Sequence, residues 1–261
     1  MCQSEREQSL GTHGVTKMTA EAKHTISDRV DGSNRAEEAR IRAAYARRVG
    51  DRRYSWFNPS YVFMMQQLEH RMLNILRANG HAPFDSQKIL EIGCGTGHWL
   101  RELVKWGATP ERITGIDLLE DRVAKARQLC SPGIRIQCAS GAQLPFASEE
   151  FDLVLQSTVF TSILDSNLRR RVGSEMMRVV KPKGMILWYD YHVNNPWNPD
   201  VRGVKRSEIR DLFPGCRIEL QRITLLPHLV RWLAPYSLLA CYILEKVPPL
   251  CTHYLGVIRK H

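Results

Sequence analysis

Apolar and polar positions follow two rhythms along the chain, and the changes of rhythm mark its parts. Over residues 61–78 the apolar side chains Phe63, Met64, Leu68, Met72, Leu73 and Leu76 recur at helical spacing, with Asn58-Pro59-Ser60 as the start signal and Gly80 as the stop. Upstream, residues 35–48 are rich in alanine and long charged side chains and predict another helix, interrupted by Gly50 and Asp51. From residue 88 onward, short apolar runs alternate with helical stretches. Strands are predicted at 88–92, 112–116, 134–138, 152–156 and 184–189, and helices at 98–106, 120–129 and 167–179. Strands alternating with helices of this length argue for an α/β three-layer sandwich. After residue 190 the pattern changes. Residues 191–203 read as a long Asn/Pro/Asp-rich loop, 207–213 as a short helix, and 217–224 and 251–259 as two more strands. Between those strands, residues 225–244 are strongly apolar and helical in period, with breaks at Pro227 and Pro235.

The first predicted strand runs into an unusual turn, Ile89-Leu-Glu-Ile-Gly-Cys-Gly-Thr-Gly97, and a helix opens at once. Glycines at alternate positions tolerate unusual backbone angles and let a ligand approach the backbone. The product is a ligand seat at the carboxyl end of a parallel strand. Asp117 stands at the end of the second predicted strand, 24 residues past Gly93. A carboxylate at about 20 residues' distance is placed to accept from both hydroxyls of a ribose. The two signals together specify an adenosine-type cofactor.

Glu91 to Gly97 resembles the first motif of class I S-adenosylmethionine-dependent methyltransferases: the glycines are spaced GxGxG, where a dinucleotide fingerprint has GxGxxG. The resemblance continues through Asp117, Leu144-Pro145-Phe146, Phe151-Asp152-Leu153-Val154 and the run from Val180 to Gly184. The Leu-Pro-Phe form of the third motif resembles the branch that methylates small molecules such as quinones, sterols and sugars. The resemblance implies a Rossmann-like seven-stranded sheet of order 3-2-1-4-5-7-6 with strand seven antiparallel. It implies S-adenosyl-L-methionine as cofactor and a methyltransferase domain over residues 81–261. Residues 35–80 would be helices covering the cofactor mouth, 1–34 a flexible extension, and 225–249 an insertion between strands six and seven, a candidate lid over the acceptor pocket.

By the same resemblance Glu91 and Gly93 border the methionine moiety, and Cys94 with the backbone around Gly95 and Gly97 lies close to the cofactor. Asp117 takes the ribose and Leu118 packs near the adenine. Ser140 stands where many relatives carry an Asp that meets the adenine amino group; it is followed by Gly141, Ala142 and Gln143, and Gln143 compensates if it turns inward. Gln156 and Ser157 mark the place where cofactor and acceptor meet. Phe160 either lines the acceptor pocket or packs the next helix. Tyr54 and Trp56 either cap the cofactor or belong to the core. His192, just past strand five and flanked by Asp190 and Tyr191, is the candidate proton acceptor, its imidazole titrating near neutrality; the alternative is a loop histidine that orders Asn194 and Asn195. The loop residues Tyr191, Asn194 and Asn195 are candidate acceptor contacts, and His228 and Arg231 candidate rim contacts for an anionic group.

The net charge is +10, and residues 166–261 carry 16 Lys/Arg against 7 Asp/Glu, a balance of +9. The cations are scattered except for Arg169-Arg170-Arg171, which reads as a solvated helix face, and no nucleic-acid-binding module is recognisable. The Asn/Asp-Pro-Pro-Tyr/Phe signature of many nitrogen-methylating enzymes is replaced after strand four by Gln156-Ser-Thr-Val159. The seven cysteines include no CxxC pair, which argues against a zinc site or a disulfide framework and fits a reducing cytoplasm. No apolar run reaches the roughly 18 residues of a spanning helix, and no secretory signal is evident. The expectation is a cytoplasmic enzyme, monomeric or homodimeric, that methylates a small-molecule acceptor without a metal. The alternatives are a protein or RNA methyltransferase, or a non-catalytic cofactor-binding protein.

Overall fold

The computed structural model describes residues 20–47, 55–84 and 86–261, with side chains in the first helix described from residue 32. Seven strands form one sheet in the order β3-β2-β1-β4-β5-β7-β6: β1 Ile89–Ile92, β2 Ile113–Asp117, β3 Arg135–Cys138, β4 Phe151–Ser157, β5 Val180–Tyr191, β6 Arg217–Leu225 and β7 Cys251–Arg259. The pairings among β1 to β5 are parallel. Strand β7 runs antiparallel to both β5 and β6. Parallel neighbours need crossovers, and helices α3 (His98–Lys105), α4 (Glu120–Leu129) and α5 (Ser166–Val179) provide them, whereas α6 (Arg206–Leu212) joins β5 to β6, which are not neighbours.

Central strands are buried on both faces and read as near-continuous apolar runs: all four residues of β1 and all five of β2 are buried. Alternate side chains divide between two cores. Ile89, Leu153, Leu155 and Leu187 face helix α2 (Pro59–Ala78) and α3, whereas Leu90, Ile92, Val154 and Trp188 face α5 and α6. Helix α2 starts as its sequence predicts: the Asn58 side chain caps Ser60 N, and Pro59 occupies the first turn. Gly115 on β2 lets α3 approach closely, because a Cβ there would lie 2.7 Å from Leu100 Cδ1.

Three features depart from the sequence reading. Helix α1 runs Ala20–Ala46, across the predicted start at 35. Gly32, Ser33 and Asn34 are weak helix formers, yet they lie inside it. Downstream the helix is held by tertiary bonds: Glu37 accepts from Leu164 N at 2.5 Å, and Arg40 donates to Ser162 O at 2.6 Å. Strand β5 begins at Val180, ahead of the predicted 184, with a register shift against β4 between Phe151 and Leu153. The triplet at 169–171 is not uniformly a solvated face. Arg169 is fully buried, its Nε donating to Ile163 O at 2.6 Å and its Nη1 pairing with Glu208 at 2.5 Å, whereas Arg170 is exposed.

The apolar stretch after β6 forms two short helices, α7 (Pro227–Leu233) and α8 (Leu238–Leu244), divided at Pro235. Val230, Ala234 and Cys241 pack with Phe63 of α2 and Leu225 of β6. The Ser60 hydroxyl donates to Val230 O at 3.4 Å. Among the described residues no helix is long and apolar enough to cross a membrane.

Candidate functional site

A cavity of about 160 Å³ opens at the carboxyl ends of β1 to β4. It lies where the strand order reverses, with β2 and β3 on one side of β1 and β4 and β5 on the other. Each strand end contributes a wall. Gly93 follows β1, Asp117, Leu118 and Leu119 end β2, Ser140 and Gly141 follow β3, and Ser157, Thr158 and Val159 close β4. Helix α1 covers the mouth with Glu38, Ile41 and Tyr45.

The glycine turn is held to β2 by the carboxylate itself. Gly95 N donates to Asp117 Oδ2 at 2.8 Å and Leu119 N to Oδ1 at 2.9 Å. Each oxygen keeps lone-pair capacity for a ligand hydroxyl. Burial pushes the Asp117 carboxyl above its ordinary range, against the pull of those two N–H groups. Gly93 has φ +71°, and a Cβ on it would meet Val159 Cγ2 at 2.5 Å; a side chain there would be strained and would crowd the cavity wall. Thr158, a β-branched residue, also sits in the left-handed region, at φ +58°. Its N–H donates to Tyr189 O at 2.8 Å, which holds the strained residue on the cavity wall. Glu91 is buried on β1 with Oε2 lacking a hydrogen-bond partner. Burial first, and the nearby Asp117 second, push its carboxyl well up.

Helix α1 straps the two sides of the cavity together. Arg42 donates to Leu118 O on one side, and the Tyr45 hydroxyl bonds Ser162 Oγ at 2.9 Å on the other. The Arg122 guanidinium lies 4.4 Å over the Tyr45 ring. Ser140 Oγ donates to Glu38 Oε1 and accepts from Ala142 N at 3.1 Å. Sequence reasoning expected the 35–80 helices over the mouth but did not single out Glu38, Ile41, Tyr45, Arg122 or Ser162, because periodicity does not say which side chains of each element turn toward the strand ends. One signal was present: Ser140 stands where a carboxylate was expected, and Glu38 supplies a carboxylate beside it.

The candidate residues divide into three groups. Gly93, Asp117, Leu118, Ser140, Gly141 and Ser157 line the cavity. Others shape it from behind. Gly97 would place a Cβ 2.4 Å from Cys130 Sγ, so it admits the close packing of α4's end. Cys94 is buried, its thiol pushed up by burial, and packs beneath the turn beside Gly115. Gln156 is fully buried and spends its amide on structure, Nε2 donating to Tyr189 O and Oε1 accepting from Val159 N. The remainder lie away from the cavity lining. Gln143 is exposed, so it does not turn inward; the Ser140 hydroxyl bonds Glu38 instead. Phe160 takes the packing alternative: it is fully buried against Trp188, ring centroids 4.6 Å apart. Its N–H and that of Thr161 are capped by buried Asp190, whose carboxyl burial pushes up to about 7.

Beyond the cavity lining, His192 follows β5, its Nε2 donating to Cys251 O at 2.9 Å and its ring against Tyr254. It does not order the asparagines. Asn194 Oδ1 accepts from Gly203 N and Asn195 Oδ1 from Trp197 N, so both shape the loop. The Tyr191 ring lies 3.7 Å from that of His253. His228 is exposed beside Trp197, and Arg231 is half-buried on α7. Trp56 is about half exposed and touches His98. Tyr54 lies outside the described residues.

Comparison with known proteins gives the fold a family context. The profile of a methyltransferase-domain family matches residues 89–184. The fold is shared with an S-adenosylmethionine-dependent methyltransferase from Methanosarcina mazei at a TM-score of 0.54 and 18% identity, over 70% of this chain and 96% of that one. Residues 89–184 match a methyltransferase domain, and the fold is that of S-adenosylmethionine-dependent methyltransferases. In sequence, the chain is 34% identical over 136 residues to the uncharacterized methyltransferase YodH of Bacillus subtilis, covering 51% of this chain and 53% of that protein. It is 30% identical over 102 residues to the demethylmenaquinone methyltransferase of Staphylococcus aureus, covering 38% and 41%. The chain spans about half or less of the length of the curated relatives it matches. The residues present fit an adenosine-type cofactor: Asp117, a carboxylate with lone pairs to spare, and the Gly93 cradle line one cleft, and a buried Glu91 oxygen without a partner stands on the strand that ends there.

Proposed function

We propose that the protein transfers a methyl group from S-adenosylmethionine to a small-molecule acceptor of apolar, sugar-containing or lipid-linked character. The supporting observation is the cavity built on Gly93 and Asp117 and closed by α1. When bound, the cofactor supplies an electrophilic methyl on a sulfonium. The chain's task is then to hold donor and acceptor in line and keep water out. In this reading Asp117 accepts from the ribose hydroxyls. The Gly93 turn and Glu91 flank the methionine end. Glu38 and Ser140 together replace the adenine-binding Asp that the third motif lacks. Ser157 and Thr158 face the transferring methyl, and α1 excludes solvent.

The acceptor class draws on the relatives' names. Matches include a demethylmenaquinone methyltransferase and a sterol 24-C-methyltransferase of Gibberella zeae. A second reading, RNA methylation, is favoured by a 28% match to a tRNA N(3)-cytidine methyltransferase of Gallus gallus. The Ser157-Thr158-Val159 wall after β4, in place of an Asn/Asp-Pro-Pro signature, supports the first reading. Purified protein with methyl-labelled S-adenosylmethionine, challenged in parallel with a lipid-soluble extract and with bulk tRNA, separates the two. Label entering tRNA alone would overturn the small-molecule reading.

Glu38→Ala is expected to weaken cofactor binding about fivefold, the worth of one hydrogen bond of roughly 1 kcal/mol. Calorimetric titration measures it, and wild-type affinity would remove Glu38 from the adenine end. For acceptors that must lose a proton, His192 is the proposed base. The Cys251 carbonyl fixes Nε2 as the donor, so a neutral ring presents Nδ1 as base. Burial lowers its pKa below the ordinary 6.5. The ring therefore stays neutral and competent to lower pH, and turnover is expected to fall on the acid side only below about pH 6.5. That limb should vanish in His192→Asn; a limb unchanged in the variant places the base elsewhere.

A further inference from the structure

The α7–α8 hairpin buries one face and leaves the other bare. Val230, Ala234 and Cys241 turn inward. Outward stand Trp232, 68% exposed, Tyr236, 85%, and Leu239, 68%. Fourteen large apolar side chains are exposed among the described residues, and eight of them fall between 226 and 247. That concentration makes a patch, where scattered exposure would need no explanation. Trp197 enlarges it from the loop after β5: it is 78% exposed, and its ring lies 5.2 Å from that of His228 on α7.

The charges on this face have one sign. Glu245 is the sole carboxylate between 225 and 250, and it is buried at 5% exposure. Lys246 is exposed, with Nζ 4.3 Å over the Tyr242 ring, and Arg231 is half-buried on α7. The chain from 166 onward carries a balance of +9. An outward surface of indole, phenol and aliphatic groups with cations and no exposed carboxylate is what the headgroup region of an anionic bilayer complements. Trp and Tyr rings settle where one end is apolar and the other wet, and lysine stems lie along apolar surface with the ammonium in water.

We propose that the α7–α8 face, extended by Trp197, docks the protein on the surface of a bilayer containing anionic lipid. Each helix has seven residues, about 10 Å of length, against a hydrocarbon core of about 30 Å. The hairpin therefore lies in the interface and does not cross it. A second copy of the chain fits this face less well. A two-fold contact sets each patch against itself, so Lys246 and Arg231 would face like charges. The docking goes beyond the methyl-transfer reading and stands without it.

The test is co-sedimentation of the full chain with vesicles of phosphatidylcholine alone and of phosphatidylcholine mixed equally with phosphatidylglycerol. Tryptophan emission and sedimentation velocity are followed on the same samples. The protein is expected to partition onto the anionic vesicles, with blue-shifted emission and binding that weakens with added salt. Leu239→Glu is expected to lower partitioning roughly tenfold or more, by exchanging an inserted apolar group for a charge. Leu239 is two-thirds exposed, so the variant should keep the wild-type melting temperature and calorimetric affinity for S-adenosylmethionine. No partitioning of the wild type at low salt, or equal partitioning of Leu239→Glu, overturns the proposal. A dimer that Leu239→Glu dissociates, without vesicle binding, overturns it and gives the face to a second copy. Loss of cofactor affinity in the wild type would count against the methyl-transfer reading alone.

Discussion

Asp117→Ala is expected to weaken S-adenosylmethionine binding about thirtyfold, or roughly 2 kcal/mol. Two effects add. The ribose diol loses a paired acceptor that sits buried at the end of β2, where water competes poorly. The turn also loses its anchor, because Gly95 N and Leu119 N both donate to this carboxylate. The second effect would appear without any ligand, as a lower melting temperature of the free protein, so comparing the thermal melt with the calorimetric affinity separates the two. Asp117→Asn keeps one acceptor oxygen and should fall between wild type and Ala in affinity. An Ala variant that binds the cofactor as tightly as wild type would remove Asp117 from the site, and wild-type protein that prefers NAD would overturn the cofactor assignment.

Arg169→Ala is expected to cost about 3 kcal/mol of folding stability. The guanidinium is fully buried and ties three pieces of chain that flank the cavity floor. Nε donates to Ile163 O at 2.6 Å, Nη1 pairs with Glu208 at 2.5 Å, and Nη2 donates to Arg202 O at 3.3 Å. Truncation leaves a void and strips the buried Ile163 carbonyl of this charged donor. Glu208 suffers less, since it is partly exposed and also paired with Arg202 at 2.8 Å. Lysine keeps the charge but not the planar fork, and should recover less than half of the loss. Urea unfolding reads both variants. The neighbouring Arg170 is exposed, and Arg170→Ala should stay within about 0.5 kcal/mol of wild type. A loss below about 1 kcal/mol for Arg169→Ala would show that the buried fork is not what holds the 161–163 turn to α6.

The sheet was legible in the chain because its signals are local. Strands β1 and β2 are short, buried on both faces and punctuated by glycine, so their apolar runs show directly in the sequence. Helix α4 was predicted with the bounds it has, Glu120–Leu129, and β7 likewise, Cys251–Arg259. The strand order 3-2-1-4-5-7-6 came through the resemblance, since periodicity does not specify which strands pair. On the cofactor side, the glycine spacing and Asp117 could be read because a phosphate-free adenosine cofactor needs a tight turn and a paired acceptor at a nearly constant separation.

What only the tertiary structure decided concerns groups whose environment comes from distant chain. Ser140 and Glu38 are 102 residues apart and meet in one hydrogen bond. No local pattern announces that Ser140 will meet a carboxylate from the first helix. Phe160 and Gln156 follow the same logic: each had a cavity-facing alternative by position, and each is consumed by packing or backbone bonds across the sheet. The arginine triplet looked uniform as sequence, yet adjacent positions on a helix point about 100° apart, so one guanidinium is buried and its neighbour is in solvent. The apolar hairpin after β6 makes the same point in reverse. Its helical period was legible but what covers it was not: two seven-residue helices divided by Pro235 present one face to the single strip of α2 and β6 beneath them. The sequence specified the elements and the cofactor seat, because those depend on neighbours in the chain. Which side chains face the cavity, the core or solvent was decided by neighbours in space.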